Sequence, residues 1–109
     1  MPKKESKPQA VFLYVVPDGE PTKHRATISK SAFVDLTIVG VKDYAQGVRV
    51  AKKLVKQGVQ TIELCAGFGH VGAAKIAQAV GDGVMVGVVR FDCHPSFGFK
   101  SGDQLFGAK

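Results

Sequence analysis

Residues 60–72 read Gln60-Thr61-Ile62-Glu63-Leu64-Cys65-Ala66-Gly67-Phe68-Gly69-His70-Val71-Gly72, and the reading of this stretch decides the fold. A β-favouring run enters a glycine turn, an Ala-rich run continues to Val80, Gly81 stops it, and a second apolar run covers residues 84–91. Strand, turn, helix and strand make one βαβ unit of ordinary size. Gly67, Gly69 and Gly72 match G-x-G-x-x-G between a strand and a helix, with Asp92 about twenty residues further on. On pattern alone this is the dinucleotide-binding fingerprint in its proper context.

Upstream, residues 33–41 form a second β-favouring run, and Asp43 with Gln46 three residues later resembles a capping box that opens a helix. Tyr44, Val48, Ala51, Leu54 and Val55 fall on one face of that helix, with lysines opposite. Gly58 and Val59 supply its left-handed stop and the apolar contact after it. Another continuous run, residues 10–16, reads as a strand covered on both faces, ended by Pro17-Asp18-Gly19. Residues 20–31 are the least legible. Lys23-His24-Arg25 is a compact cationic cluster on a solvated loop or an anion contact, and Ala26-Thr27-Ile28 is a candidate short edge strand.

The expected fold is α/β: one domain with a mostly parallel sheet of four to five strands and two helices mainly on one face. Residues 1–9 read as a disordered basic tail, 10–94 as the domain, and 95–109 as a Phe-containing tail that packs on the domain or on a neighbouring subunit. The strands are apolar on both faces, yet two helices cover only one. The tail, carrying Phe97, Phe99 and Phe106, together with another copy of the chain is expected to cover the other, which predicts a homo-oligomer.

Composition narrows the function. The chain has 109 residues, enough for one domain with a small core, and 45% are apolar, which places it among globular chains. A net charge of +6 invites nucleic acid, but no aromatic stripe interleaves with the cations, so a solvated basic surface is the better account. The run 10–16 is too short for a membrane span and lacks a cleavage site, which suggests a cytoplasmic protein with reduced thiols.

In a parallel sheet, ligands sit beyond the carboxyl ends of the strands, and the loops there bring Cys65, His70, Arg90, Asp92, Cys93 and His94 to one rim. Gly67, Phe68, Gly69, His70, Gly72 and Arg90 are the candidate ligand-binding residues, using free N–H groups and the dipole at the helix start to hold an anion or phosphate. The plain alternative is that the glycines make a tight turn with close packing. His70, Asp92, His94 and Glu63 are the candidates for proton transfer. Asp35, Glu63 and Arg90 interrupt apolar strands; Glu63 and Arg90 read as a structural ion pair, or as base and anion clamp if both face the rim. Zinc is disfavoured because Cys93 and His94 are adjacent and neither cysteine has a Cys-x-x-Cys partner. A cysteine nucleophile beside His70 or His94 is the remaining use of the thiols; buried structural cysteine is the plain one.

The strand Gln60-Thr61-Ile62-Glu63-Leu64-Cys65-Ala66 running into Gly67-Phe68-Gly69 resembles a small prokaryotic family, a domain of unknown function. The resemblance extends to Val39-Gly40-Val41, to Val86-Gly87-Val88-Val89-Arg90-Phe91 and to Lys23-His24-Arg25-Ala26. It implies a compact α/β fold and carries over neither cofactor nor catalytic residue. The leading expectation is a small-ligand protein, enzyme or not, that holds an anionic group at the rim. A non-catalytic assembly or regulatory module is the second reading. Dinucleotide binding is the third, weakened because only a tail follows Asp92 where such folds need further strands.

Overall fold

The computed structural model describes residues 7–91 and 94–107. Its elements are β1 (Gln9–Val15), β2 (Arg25–Ile28), β3 (Asp35–Val41), α1 (Tyr44–Lys56), β4 (Thr61–Leu64), α2 (His70–Val80), β5 (Met85–Val88) and α3 (Gly102–Phe106), with a 3₁₀ turn at Pro95–Phe97. They form one five-stranded sheet in the order β2-β3-β1-β4-β5. β1 lies parallel to β3 and β4, β4 lies parallel to β5, and β2 alone is antiparallel, on the edge beside β3. The fold is the expected single-domain, mostly parallel α/β architecture. Among the described residues no helix is long and apolar enough to cross a membrane.

Local chemistry sets the helix ends. Asp43 Oδ1 accepts the Gln46 N–H at 2.8 Å, and the Gln46 side chain reaches one residue further back than a capping box requires, accepting from the Lys42 N–H at 2.9 Å. At the other end Gly58 has φ 101°, and the N–H groups of Gly58 and Val59 close onto the Val55 and Leu54 carbonyls. That double closure satisfies carbonyls that the last helical turn leaves orphaned. Within the strands, Asp35 is held by Lys7 at 2.9 Å and by the Gln9 side-chain amide at 2.9 Å, which explains a carboxylate in an apolar run. Residues 1–6 of the expected basic tail lie outside the described residues.

Alternation along the strands separates two faces. Val11, Leu13, Val15, Val39, Val41, Ile62 and Leu64 are buried beneath α1 and α2, which pack on each other over the sheet. On α2, Gly72 and Ile76 are buried, whereas Ala77 is exposed. The helix is rolled so that Gly72 lies against the Tyr44 ring, where an added Cβ would come within 2.5 Å of ring carbon.

The opposite face carries Phe12, Tyr14, Leu36 and Ile38, all half-buried, with Glu63 and Met85 exposed beside them; Phe12 sits between Ile38 and Glu63 in register. No helix covers this face among the described residues. The C-terminal segment does not cover it either, contrary to the expectation: Phe97 and Phe106 pack toward Tyr44 at the carboxyl ends of the strands, and Phe99 is 70% exposed. The physical reason is a polar anchor at that end, described below.

β1 is the centre of the sheet, and Leu13 on it is fully buried between β3 and β4. Leu13→Ala is therefore expected to lower the unfolding free energy by about 2–5 kcal/mol in a urea titration, the cost of a core cavity at a site flanked on both sides.

Candidate functional site

β4 ends where the Cys65 carbonyl accepts the Phe68 N–H at 3.0 Å, turning the chain so that Phe68 drops into the core. Its side chain is fully buried and stacks on Tyr44 with ring centroids 5.3 Å apart. Phe68 is thus part of the packing, not of a ligand surface. The turn delivers Gly69 as the N-cap of α2, and glycine brings no side chain to satisfy the first free N–H groups of the helix.

Asp103, from α3, supplies what is missing. Its Oδ2 accepts the Val71 N–H at 3.0 Å and its Oδ1 accepts the Gly72 N–H at 3.1 Å. The Tyr44 hydroxyl lies 2.9 Å from Oδ1 and 3.1 Å from the Gly67 carbonyl, and it accepts the Gly69 N–H at 3.0 Å. A carboxylate at a helix N-terminus is favoured by both the free donors and the helix dipole. The glycine loop therefore holds an anion, and the chain itself provides it.

The three glycines are required by how closely this node is packed. A Cβ on Gly67 would lie 2.6 Å from Val15 Cγ1, and one on Gly69 would lie 2.6 Å from the Asp103 carboxyl carbon and 2.7 Å from Ser101 Oγ. Gly102 in turn rests against the Gly67 carbonyl, where no Cβ fits. The C-terminal segment therefore sits over the ends of β1 and β4. In the strand order β3-β1-β4-β5 that is the topological switch point, the crevice where open α/β sheets take their ligands. A run of ring contacts continues the seal: Tyr44 with Phe106, Phe106 with Phe97, Phe97 stacked on His94 at 4.0 Å, and His94 edge-on to Phe91.

The remaining candidates are dispersed. His70 and Arg90 do meet, with Arg90 Nη2 2.8 Å from His70 Nε2. A guanidinium has only donors, so Nε2 is the acceptor in this contact. His94 is a local cap: its Nδ1 accepts the Ser96 N–H at 3.1 Å and opens the 3₁₀ turn. Glu63 lies exposed on the uncovered sheet face, on the side of β4 away from Ile62 and Leu64, and so points away from the covered face on which α2, with His70 at its start, lies. The strand-level expectation of a Glu63–Arg90 pair thus gives way to an Arg90–His70 contact. Cys65 is half-buried, and its Sγ accepts the Gly67 N–H at 3.2 Å. Asp92 and Cys93 lie outside the described residues. Among the described residues no group of three or more His, Cys, Asp or Glu side chains has the arrangement to hold a metal ion.

Beside the node, a cleft of about 750 Å³ opens at the same rim. Pro17, the first turn of α1, Lys75 of α2 and the C-terminal residues Phe97, Leu105 and Phe106 form its walls, and Lys42 and Lys75 are its cations. The reading from spacing missed Tyr44, Asp103 and both lysines. The sequence did carry one signal for Asp103. Ser101 with Gln104 makes a capping box in which Ser101 Oγ accepts the Asp103 N–H, so a helix start at Ser101 was readable.

Burial pushes the Tyr44 phenol above its ordinary value, opposed by the Gly69 amide and reinforced by Asp103, so it remains a donor at neutral pH. Partial burial pushes the Asp103 carboxyl up, but the Val71 and Gly72 amides, the Tyr44 hydroxyl and the nearby His70 outweigh it and hold the group below its ordinary 3.8. Such a carboxyl contributes stability that is present above its unfolded value and lost as pH falls through the lower folded value. Asp103→Asn is expected to cost about 1.5–3 kcal/mol at pH 7, the scale of hydrogen bonds to a charged group. The difference from the parent should shrink toward pH 3, read from urea titrations across that range.

Residues 8–104 match the model of DUF6506, a family of unknown function. No curated protein and no solved structure gives a significant match.

Proposed function

Because the chain belongs to DUF6506, a family without an assigned activity, we propose its function from its own geometry: it binds a small molecule with an anionic head and an apolar body in the rim cleft. The observation that carries this reading is the cleft itself. About 750 Å³ is within the usual range of small-molecule sites, and it lies where parallel sheets receive ligands. Its chemistry is two-sided. Tyr44, Phe97, Leu105 and Phe106 offer apolar contact, while Lys42, just before the N-cap of α1, and Lys75 of α2 supply positive charge. Asp43 also lines the cleft, but its carboxylate is committed to the Gln46 N–H.

The lysines, rather than the glycine loop, carry the anion in this reading, since the amides of Val71 and Gly72 are already bonded to Asp103. For the same reason a dinucleotide would have to displace Asp103 before its pyrophosphate reached the helix. Aromatic carboxylates and phosphates are the ligand class that both walls favour. A thermal-shift panel of phosphate, sugar phosphates, nucleotides, dinucleotides, aromatic carboxylates and zinc tests this. A ligand at a hundredfold excess over its Kd stabilises by about 2.7 kcal/mol, several degrees in midpoint. The shift should belong to an anionic compound with an apolar body and vanish in a Lys42→Ala, Lys75→Ala double variant. Equal shifts in parent and double variant would defeat the cleft assignment.

A second reading, assembly of copies through the uncovered sheet face, is favoured by a separate observation: Phe12, Tyr14, Leu36 and Ile38 form a contiguous apolar patch that no helix covers among the described residues. Sedimentation at micromolar concentration is expected to give a dimer or larger species, and Ile38→Glu is expected to give a folded monomer. A monomeric parent chain excludes this assembly.

A further inference from the structure

The cationic cluster at Lys23-His24-Arg25 has no role at the rim, yet the fold brings Arg25 to a second depression on the flank of the sheet. This groove, of about 330 Å³, lies between the 20–25 segment and one face of α1, and shares no residue with the rim cleft. Arg25 enters from the start of β2, and Arg49 and Lys53, four residues apart on α1, line the facing wall. Between them Pro21, Val50 and the buried Leu54 form an apolar floor.

Charge is what sets the groove apart. Among the described residues, none of these three cations makes an ion pair or a side-chain hydrogen bond. The one carboxylate that lines the groove is turned inward on its own loop. Glu20 accepts from the Thr22 hydroxyl, from the Thr22 N–H at 3.1 Å and from the Lys23 N–H at 2.9 Å, and these bonds hold its acidity up. Glu20 keeps its charge, but its Oε1 is held by its own loop, so three positive charges face one space against a single carboxylate at its edge.

We propose that this groove is a binding site for a phosphate monoester. A single carboxylate needs one arginine, whereas a dianionic phosphoryl group matches two guanidinium forks and an ammonium from opposite walls. The apolar floor takes the ester's organic part, and the groove is at the small end of ligand sites, large enough for one ring and its phosphoryl group. This site stands independently of the rim reading.

Titration of the full chain with phenyl phosphate, followed by amide chemical shifts and calorimetry, tests the assignment. The expected result is shift changes in residues 20–25 and 46–57 and a Kd weakened about tenfold by Arg49→Gln, the scale of one charge-assisted hydrogen bond. Lys52→Gln, on α1 but outside the groove, should bind as the parent does, and the shift changes in residues 20–25 and 46–57 should persist in the Lys42→Ala, Lys75→Ala double variant whatever that variant loses at the rim. Loss of binding only in the double variant would assign the phosphate to the rim cleft and overturn this proposal. Equal weakening by Arg49→Gln and Lys52→Gln would reduce it to attraction by net charge, and an absence of shifts in both segments at millimolar phenyl phosphate would reject it outright.

Discussion

The Tyr44 hydroxyl is the contact on which the rest of the arrangement depends. It sits in a buried setting, and a phenol removed from water must find partners or lose about 1–3 kcal/mol. Here it finds them in the Gly69 N–H, the Gly67 carbonyl and the Asp103 carboxylate. One atom thereby ties the first turn of α1 to the glycine turn and to the C-terminal helix. Because Asp103 also bonds two amides of α2, the start of that helix is capped from across the molecule rather than by its own N-cap residue.

That single node also explains why the C-terminal segment closes the crevice between β1 and β4 instead of covering the bare side of the sheet. An uncapped helix start beside a buried hydroxyl is a strong, directional demand for a carboxylate, whereas an apolar sheet face makes only a non-directional demand for area. The short segment answers the first. The second remains with Phe12, Tyr14, Leu36 and Ile38, and it is this division that keeps assembly in play as a second role for the chain.

Positive charge is distributed along the same logic. The acids that could neutralise it, Asp43, Asp103 and Glu20, are each drawn into capping or closing a turn of backbone. Lys42 and Lys75 line the depression at the rim, and Arg25, Arg49 and Lys53 line the one on the flank, along the length of α1.

Much of this was legible in the chain. The four long apolar runs, the Asp43 cap and the Gly58 stop follow from interactions within a few residues or from a fixed period, and the bare face follows from having only two helices for strands apolar on both sides. The G-x-G-x-x-G spacing marked the tight turn that opens α2, where the amides of Val71 and Gly72 meet a carboxylate. What it did not reveal was whose anion. Asp103 lies 59 residues from Tyr44 and 32 from Val71, in a five-residue helix too short to show a period. His70 with Arg90, the exile of Glu63 to the open face, and the convergence of Arg25 with Arg49 and Lys53 were likewise decided by the fold. Local hydrogen bonding and periodicity are written in neighbouring residues, so the sequence by itself determined the long strands, α1, α2 and their order. Which distant side chain satisfies a given buried donor depends on where strands and helices stack, and only the tertiary structure decided that.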